Sequence, residues 1–216
     1  GRGTWIFPVE PSIRLVGDTI EYCARHAPSY SPVSVCGYHI RESGASPAED
    51  PWVPEVETVY LTQAEALRMV FGEGARVVAA DRDLTPGEKT GLERKLGRKL
   101  HEKGFRVHRG YREEAWLGDA VVTEEIGKFK YITFIVMVRP DGAVGEVAVM
   151  VYRESRGAEV RRPRFLKQFK GKSPSRPLAI NRDILNVAGA TMSVRALSAG
   201  VKKVTVFIND IFRSDP

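Results

Sequence analysis

Gly189-Ala190-Thr191 sets a threonine hydroxyl behind two small residues and directly ahead of an amphipathic stretch. Val194, Leu197, Val201, Val204 and Ile208 recur at helical spacing, which predicts one helix with an apolar stripe and a first turn at Thr191–Ser193. A helix start offers unpaired N–H donors and the positive end of the helix dipole, so it favours an anion such as phosphate. Three chemistries are open to Thr191: it can cap the helix, hold a phosphate, or carry one covalently. Ser193 can also serve as the cap. No His–Asp partnership accompanies Ser193, so hydrolase chemistry is not expected.

The remaining reactive side chains are sparse. Cys23 and Cys36 form no Cys-x-x-Cys pair and are expected to be buried structural thiols. His101 and His108 lie among Lys and Arg on a predicted helix and a strand edge; they are expected on the surface, and no metal site is expected. Lys128 is expected to be a solvated lysine at a strand end. The net charge is +6. It is concentrated between Arg153 and Lys172, where Arg153, Arg156, Arg161, Arg162, Arg164, Lys167, Lys170 and Lys172 face only Glu154 and Glu159. Such a run suits phosphate or an anionic membrane surface. Only Phe165 and Phe169 interleave it, too few stacking aromatics for nucleic acid to be the expected partner.

The elements that position these residues follow a regular pattern after Tyr60. Thr62 and Glu65 form a capping box ahead of Ala66, Leu67, Val70 and Phe71. Thr85-Pro86 with Glu88 starts a second helix, predicted through Leu92, Leu96 and Leu100 to Gly104 and polar on its other faces. Strands are predicted at 105–111, 119–126, 131–138 and 144–152, with a turn at Pro140-Asp141-Gly142. Residues 160–169 look helical, and 170–182 form a basic loop. This order predicts an α+β domain, an antiparallel sheet flanked by helices. No apolar run approaches the roughly 20 residues of a membrane span. The chain opens Gly1-Arg2-Gly3-Thr4-Trp5, with neither an initiating Met nor a signal-peptide pattern. A Pro-rich acidic hinge divides the chain into 1–50, a linker at 51–56, and 57–213.

The second part resembles the FMN-binding domain family, which includes flavin-carrying subunits of Rnf-type and sodium-translocating quinone reductase complexes and a regulator of nitrous oxide respiration. Ala188-Gly189-Ala190-Thr191-Met192-Ser193 is similar to the family's Ser-Gly-Ala-Thr mark. Gly127-Lys128 before a strand, Glu154-Ser155-Arg156-Gly157 after one, and Phe169-Lys170-Gly171-Lys172-Ser173 match further family segments in order. The resemblance implies FMN joined through a phosphoester to Thr191, with Gly189 and Ala190 admitting the phosphate and Ser193 in the same turn. Lys170, Lys172 and Ser173 are candidate phosphate contacts; Ser155 and Gly157 are candidates for the isoalloxazine side. It also implies a flavin transferase that attaches FMN, redox partner proteins at a membrane, and a place on the outer face of a bacterial cytoplasmic membrane or in the periplasm. No protein residue is expected to act as a catalytic acid, base or nucleophile, so the chain is expected to be an electron carrier or an oxidoreductase subunit. Leu185 and Ala188 depart from the family's usual Asp and Ser.

The first part resembles methylmalonyl-CoA mutase over residues 3–46, including Ser34-Val35-Cys36-Gly37-Tyr38-His39. The resemblance implies a (β/α) barrel fragment, with Tyr38 and His39 at a strand end where the family contacts its thioester. A closed barrel needs about 250 residues, so these positions are expected to be inactive. Two other function classes stand beside the flavin carrier: a flavin-free binding or regulatory module of the same fold, and an acyl-CoA mutase-type fragment.

Overall fold

The computed structural model describes residues 12–16, 19–23, 37–39 and 57–214. The chain divides into two compact units, Gly1–Val53 and Pro54–Pro216. In the first, strands β1 (Ser12–Val16), β2 (Thr19–Cys23) and β3 (Gly37–His39) pair antiparallel in the order β1-β2-β3. The parallel pairing of neighbouring strands that a barrel fragment implies is absent among the described residues. The side chains of Cys23, Tyr38 and His39, and all of Cys36, lie outside the described residues.

The second unit is built on a six-stranded antiparallel sheet. Its strands are β4 (Thr58–Val59), β5 (Arg76–Asp83), β6 (Gly104–Arg112), β7 (Ala115–Ile126), β8 (Tyr131–Val138) and β9 (Val144–Tyr152), in the order β4-β9-β8-β7-β6-β5. Successive side chains alternate faces, and both faces are covered. Val121, Phe134, Val136, Val147 and Val149 pack on one side with helix α2 (Pro86–Leu96) and a C-terminal helix. Ala120, Ile135, Met137, Ala148 and Met150 pack on the other against helix α1 (Gln63–Phe71). Double coverage explains why β8 is apolar at nearly every position and buried from Ile132 to Val138.

Both capping boxes form: Glu65 N–H donates to Thr62 Oγ1 and Glu88 N–H to Thr85 Oγ1, each at 3.3 Å. The second helix stops earlier than Gly104, because Gly97 takes a left-handed conformation (φ 68°) and ends it after Leu96. The segment expected to be one helix over 160–169 is a 3₁₀ turn at Ala158–Arg161 followed by the short helix α3 (Pro163–Leu166) and further turns. Pro163 lacks an N–H and fixes the first position of a new turn, which interrupts the ladder.

Helix α4 (Thr191–Phe207) begins where the apolar stripe predicts, and Val194, Leu197, Val201, Val204 and Ile208 are all fully buried. A π-helical turn, Ile208–Phe212, continues it. One charge lies within this apolar interface. Lys203 is 1% exposed, and its Nζ lies 2.8 Å from Glu125 Oε1, pairs with Glu102, and donates to the Glu124 carbonyl at 3.3 Å. Arg98 completes the cluster as a two-pronged donor to Glu125. Burial works to raise the Glu102 carboxyl, but the Lys203 ammonium outweighs it and holds the group below its ordinary value.

His108 corrects a surface expectation. β6 lies inside the sheet between β5 and β7, and His108 is 5% exposed. Burial, aided by the Arg106 charge and opposed by Asp81, lowers its pKa. A lowered folded-state pKa means that the unfolded chain takes up the proton first as the pH falls. Stability should therefore decline as the pH drops through the ordinary histidine range towards the folded pKa. His108→Gln should flatten that part of the pH–stability curve, as measured by chemical denaturation at a series of pH values; an unchanged slope would refute the assignment. His101 is exposed, as expected.

Candidate functional site

The N-terminus of α4 is the candidate site, and sequence segments near it are tied together by specific hydrogen bonds. Ala190 occupies the N-cap position and no side chain caps the helix, so of the uses open to Thr191 and Ser193 capping is the one not made. The first-turn N–H groups are thus left without a side-chain partner, at the positive end of a helix of 17 residues. Thr191 is the first helical residue and half-buried, and its Oγ1 accepts from Asn186 Nδ2 at 2.9 Å. Gly189 has φ +79°, a conformation that favours glycine, and a Cβ added there would meet nothing within 4 Å. The approach to the helix start is therefore open on that side. Ala190 is 2% exposed, its small side chain turned into the core.

Ser193 does a different job. It is 2% exposed, and its Oγ lies 2.8 Å from the Tyr152 hydroxyl, itself 2.6 Å from the Arg156 carbonyl. The Tyr152 proton goes to that carbonyl, so Ser193 donates to Tyr152. The end of β9 is thereby bolted to the first turn of α4. Gly157 packs into the same junction: its φ is +93°, and a Cβ would meet Tyr152 Oη at 2.5 Å and Ser193 Oγ at 2.7 Å. Burial pushes the Tyr152 phenol up from its ordinary value, with the Ser193 bond opposing. Tyr152→Phe should strand the Arg156 carbonyl and the Ser193 hydroxyl and destabilise the unit by about 1–3 kcal/mol. Thermal or urea unfolding measures this, and a change under a few tenths would refute the role.

Glu154 reaches the other way. One carboxylate oxygen accepts from Phe129 N–H at 2.7 Å and Lys130 N–H at 3.1 Å. This clamps the turn at 127–130 to the turn at 154–157. Lys128 is exposed, with its Nζ 4.7 Å from the centre of the Phe129 ring. Ser155 is exposed on the outer side of the 154–157 turn. Gln168 makes a reciprocal pair with Leu185, accepting from its N–H at 2.7 Å and donating to its carbonyl at 3.5 Å. The Leu185 side chain is 73% exposed.

Residues 171–172 of the basic segment lie along the start of β9, beyond the two residues that β4 pairs. Val144 N–H donates to the Lys172 carbonyl at 2.9 Å and Gly171 N–H to the Val144 carbonyl at 2.7 Å, a two-bond tether. Lys170, Lys172 and Ser173 line a cup of about 440 Å³ with Gly171, Arg176, Arg182 and Asp183; Thr191 is not part of its wall. Lys170 is paired with Glu146, and Ser173 shares a 2.8 Å bond with Ser175. Glu154 and Tyr152 are the site residues that sequence reasoning missed as contacts. Glu154 belongs to the Glu154-Ser155-Arg156-Gly157 segment, but its amide partners, Phe129 and Lys130, lie across the β8–β9 pairing. Tyr152 read only as the last residue of a strand.

Among the described residues, no group of His, Cys, Asp and Glu is placed to hold a metal ion, and no helix is long and apolar enough to cross a membrane.

The second unit is an α+β domain, an antiparallel sheet flanked by helices, and the sequence model of the FMN-binding domain family matches it over residues 127–206. Residues 127–206 are thus similar to FMN-binding domains, and FMN is the cofactor that this match supports. The methylmalonyl-CoA mutase family matches residues 1–51. Methylmalonyl-CoA mutase of Rhizobium meliloti is 45% identical over 76 residues, 35% of this chain and 10% of that protein. Ethylmalonyl-CoA mutase of Methylorubrum extorquens is 43% identical over 49 residues, 23% of this chain and 7% of that protein. Human mitochondrial methylmalonyl-CoA mutase is 48% identical over 44 residues, 20% of this chain and 6% of that protein. The chain thus spans a tenth or less of the length of these relatives. Among solved structures, NqrC of Shewanella oneidensis aligns with 67% of this chain and 84% of its own, at 19% identity and a TM-score of 0.45.

The residues at the α4 start fit a flavin phosphate. Open space at Gly189, a free hydroxyl face on Thr191 and first-turn amides without a side-chain cap are the donor set such a group requires.

Proposed function

We propose that the second unit is an electron-transfer module that carries FMN by a phosphoester to Thr191. The observation that carries this reading is the uncapped start of α4, with Thr191 presented on it and the segments 127–130 and 154–157 fixed around it. Thr191 supplies the oxygen. The first-turn amides stabilise the remaining phosphodiester charge by about 0.3–1 kcal/mol through the dipole, with hydrogen bonds added. On the turn held by Glu154 and Tyr152, Ser155 is the exposed candidate for the isoalloxazine side, and Gly157, buried against Tyr152 and Ser193, contributes by setting the path of that turn. Lys172 supplies positive charge and Ser173 a hydroxyl, with Lys170 shared with Glu146. FMN supplies the chemistry, accepting and passing one or two electrons, and the chain sets its exposure and potential.

The same reading assigns the partners. A flavin transferase attaches FMN, and redox proteins at a membrane exchange electrons with it on the outer face of a bacterial cytoplasmic membrane or in the periplasm. Domain boundaries at 1–50, 51–56 and 57–213 belong to this proposal, as does an inactive role for Tyr38 and His39.

The test is co-expression of the chain with and without a bacterial flavin transferase, followed by denaturing electrophoresis. In-gel flavin fluorescence at the chain's mass is expected only with the transferase. Visible flavin absorbance lost entirely on denaturation would replace the covalent link with non-covalent binding. No flavin under either condition would favour a flavin-free module, a reading consistent with Leu185 and Ala188 at the exposed approach to the helix.

A further inference from the structure

α4 has one stripe that the sheet does not cover. Thr191, Arg195, Ser198 and Lys202 recur at spacings of four, three and four, so they lie in line along the helix. The last three line a cavity of about 360 Å³, whose walls include Leu96 from the end of α2 and Leu178 and Ile180 from the loop before α4. Ser198 is two helical turns, or about 10 Å, from Thr191. The cavity is therefore separate from the helix start.

Four features mark it as a binding site. The Ser198 residue is 6% exposed, and its Oγ is buried with no hydrogen-bond partner. Buried hydroxyls are nearly always bonded, and an orphan one asks for a partner. Lys202 is fixed by donating to the carbonyls of Pro174 at 2.9 Å and Arg176 at 2.6 Å. These neutral partners hold its ammonium in place without cancelling its charge. Arg195 is exposed and makes no ion pair or hydrogen bond among the described residues. Leu178, 4% exposed, has φ +54°, an unusual conformation for a bulky side chain.

The charges decide the ligand. Arg98 also lines the cavity, but its guanidinium is committed to Glu125. Arg195 and Lys202 are left as cations beside an apolar wall. The volume lies at the lower end of small-molecule pockets, which run from about 300 Å³. We propose that this cavity binds a small amphipathic organic anion. Its compact apolar body sits against Leu96, Leu178 and Ile180, and its carboxylate or phosphate group meets Arg195 and Lys202, with Ser198 turning its hydroxyl to the same group. A neutral molecule of the same shape leaves both cations unused. A hydrophilic anion leaves the apolar wall wet.

The test uses the full chain and the fluorescent anion 8-anilinonaphthalene-1-sulfonate as probe, in low salt, with octanoate, octyl phosphate and octanol as competitors. One saturable probe site is expected. Octanoate and octyl phosphate should displace the probe, octanol at least about tenfold more weakly, and the better of the two anions identifies the head group. Arg195→Glu should weaken the probe about tenfold or more. Because Arg195 makes no ion pair or hydrogen bond among the described residues, the unfolding midpoint of this variant should not change. Ala199→Phe should block the cavity, and a circular dichroism spectrum like that of the parent confirms that it folds. Thr191→Val should leave probe binding unchanged. Equal displacement by octanol, unaltered binding in Arg195→Glu, or loss of binding in Thr191→Val would each overturn the proposal.

Discussion

Thr191→Val should abolish flavin that survives denaturation while leaving the fold in place. Valine matches threonine in shape and branching, and the first helical turn accepts it. The lost contact is the single bond from Asn186 Nδ2, worth about 0.5–1.5 kcal/mol. The effect on attachment should be all-or-none, because no neighbouring hydroxyl can replace it. Ser193 is 2% exposed and spends its proton on Tyr152, on the inner side of the helix. Thr191→Ser keeps an oxygen at the same place and should retain the linkage. In-gel fluorescence after co-expression with the transferase reads all three proteins. Equal fluorescence from Thr191→Val and the parent would remove Thr191 from the chemistry.

The largest expected effect on stability comes from Glu125→Leu, at about 3–5 kcal/mol. Lys203 is 1% exposed and cannot reach water without pulling α4 from the sheet. Removing Glu125 strips it of its buried carboxylate and leaves Glu102, whose side chain is one-third exposed, as its remaining counter-charge beside the neutral Glu124 carbonyl. Attraction across that wetter contact does not offset the desolvation of the ammonium. The double variant Glu125→Leu with Lys203→Met should recover most of the loss, because Arg98 and Glu102 can both turn to solvent. Urea unfolding of the two single variants and the double variant measures the coupling. Additive losses would show that the pair is not energetically linked. The depressed Glu102 carboxyl adds a pH signature: its contribution is present above the unfolded carboxylate pKa and is lost as the pH falls through the lower folded value.

The contrast between what the sequence reveals and what it conceals follows from locality. The capping boxes at Thr62 and Thr85, strands β8 and β9, and the stripe of α4 are all written in short, periodic patterns, and all form. β5 was not recognised. It is an edge strand, exposed along most of its length, and its Arg76, Asp81, Arg82 and Asp83 supply charge where alternation would be expected. Charge on an edge guards against strand addition, so the feature that hides the strand also serves it. His108 reads as a surface residue because its sequence neighbours are basic, yet Arg109 points to the opposite face of β6, and Arg106, on the same face, is exposed where His108 is buried. At the site, Thr191, Gly189 and Gly157 were legible as types in order. The bonds that assemble them were not, because Glu154–Phe129 and Tyr152–Ser193 join residues 25 and 41 positions apart. Such pairs depend on strand register, which no local pattern encodes.

The tether between Val144 and residues 171–172 has a consequence for how the site comes into being. The chain from the end of β9 to the start of α4 is long and carries little regular structure. Pinning its midpoint to the sheet edge divides it into two shorter loops, each with a smaller closure entropy. The first returns from β9 through the 154–157 turn, and the second delivers Asn186, Gly189 and Thr191. Once β9 is paired, the search that brings Thr191 to its place is confined to the second loop alone. An incoming cofactor then meets a cradle whose ordering was completed during folding, and slow amide exchange at Gly171 would be the visible trace of that order.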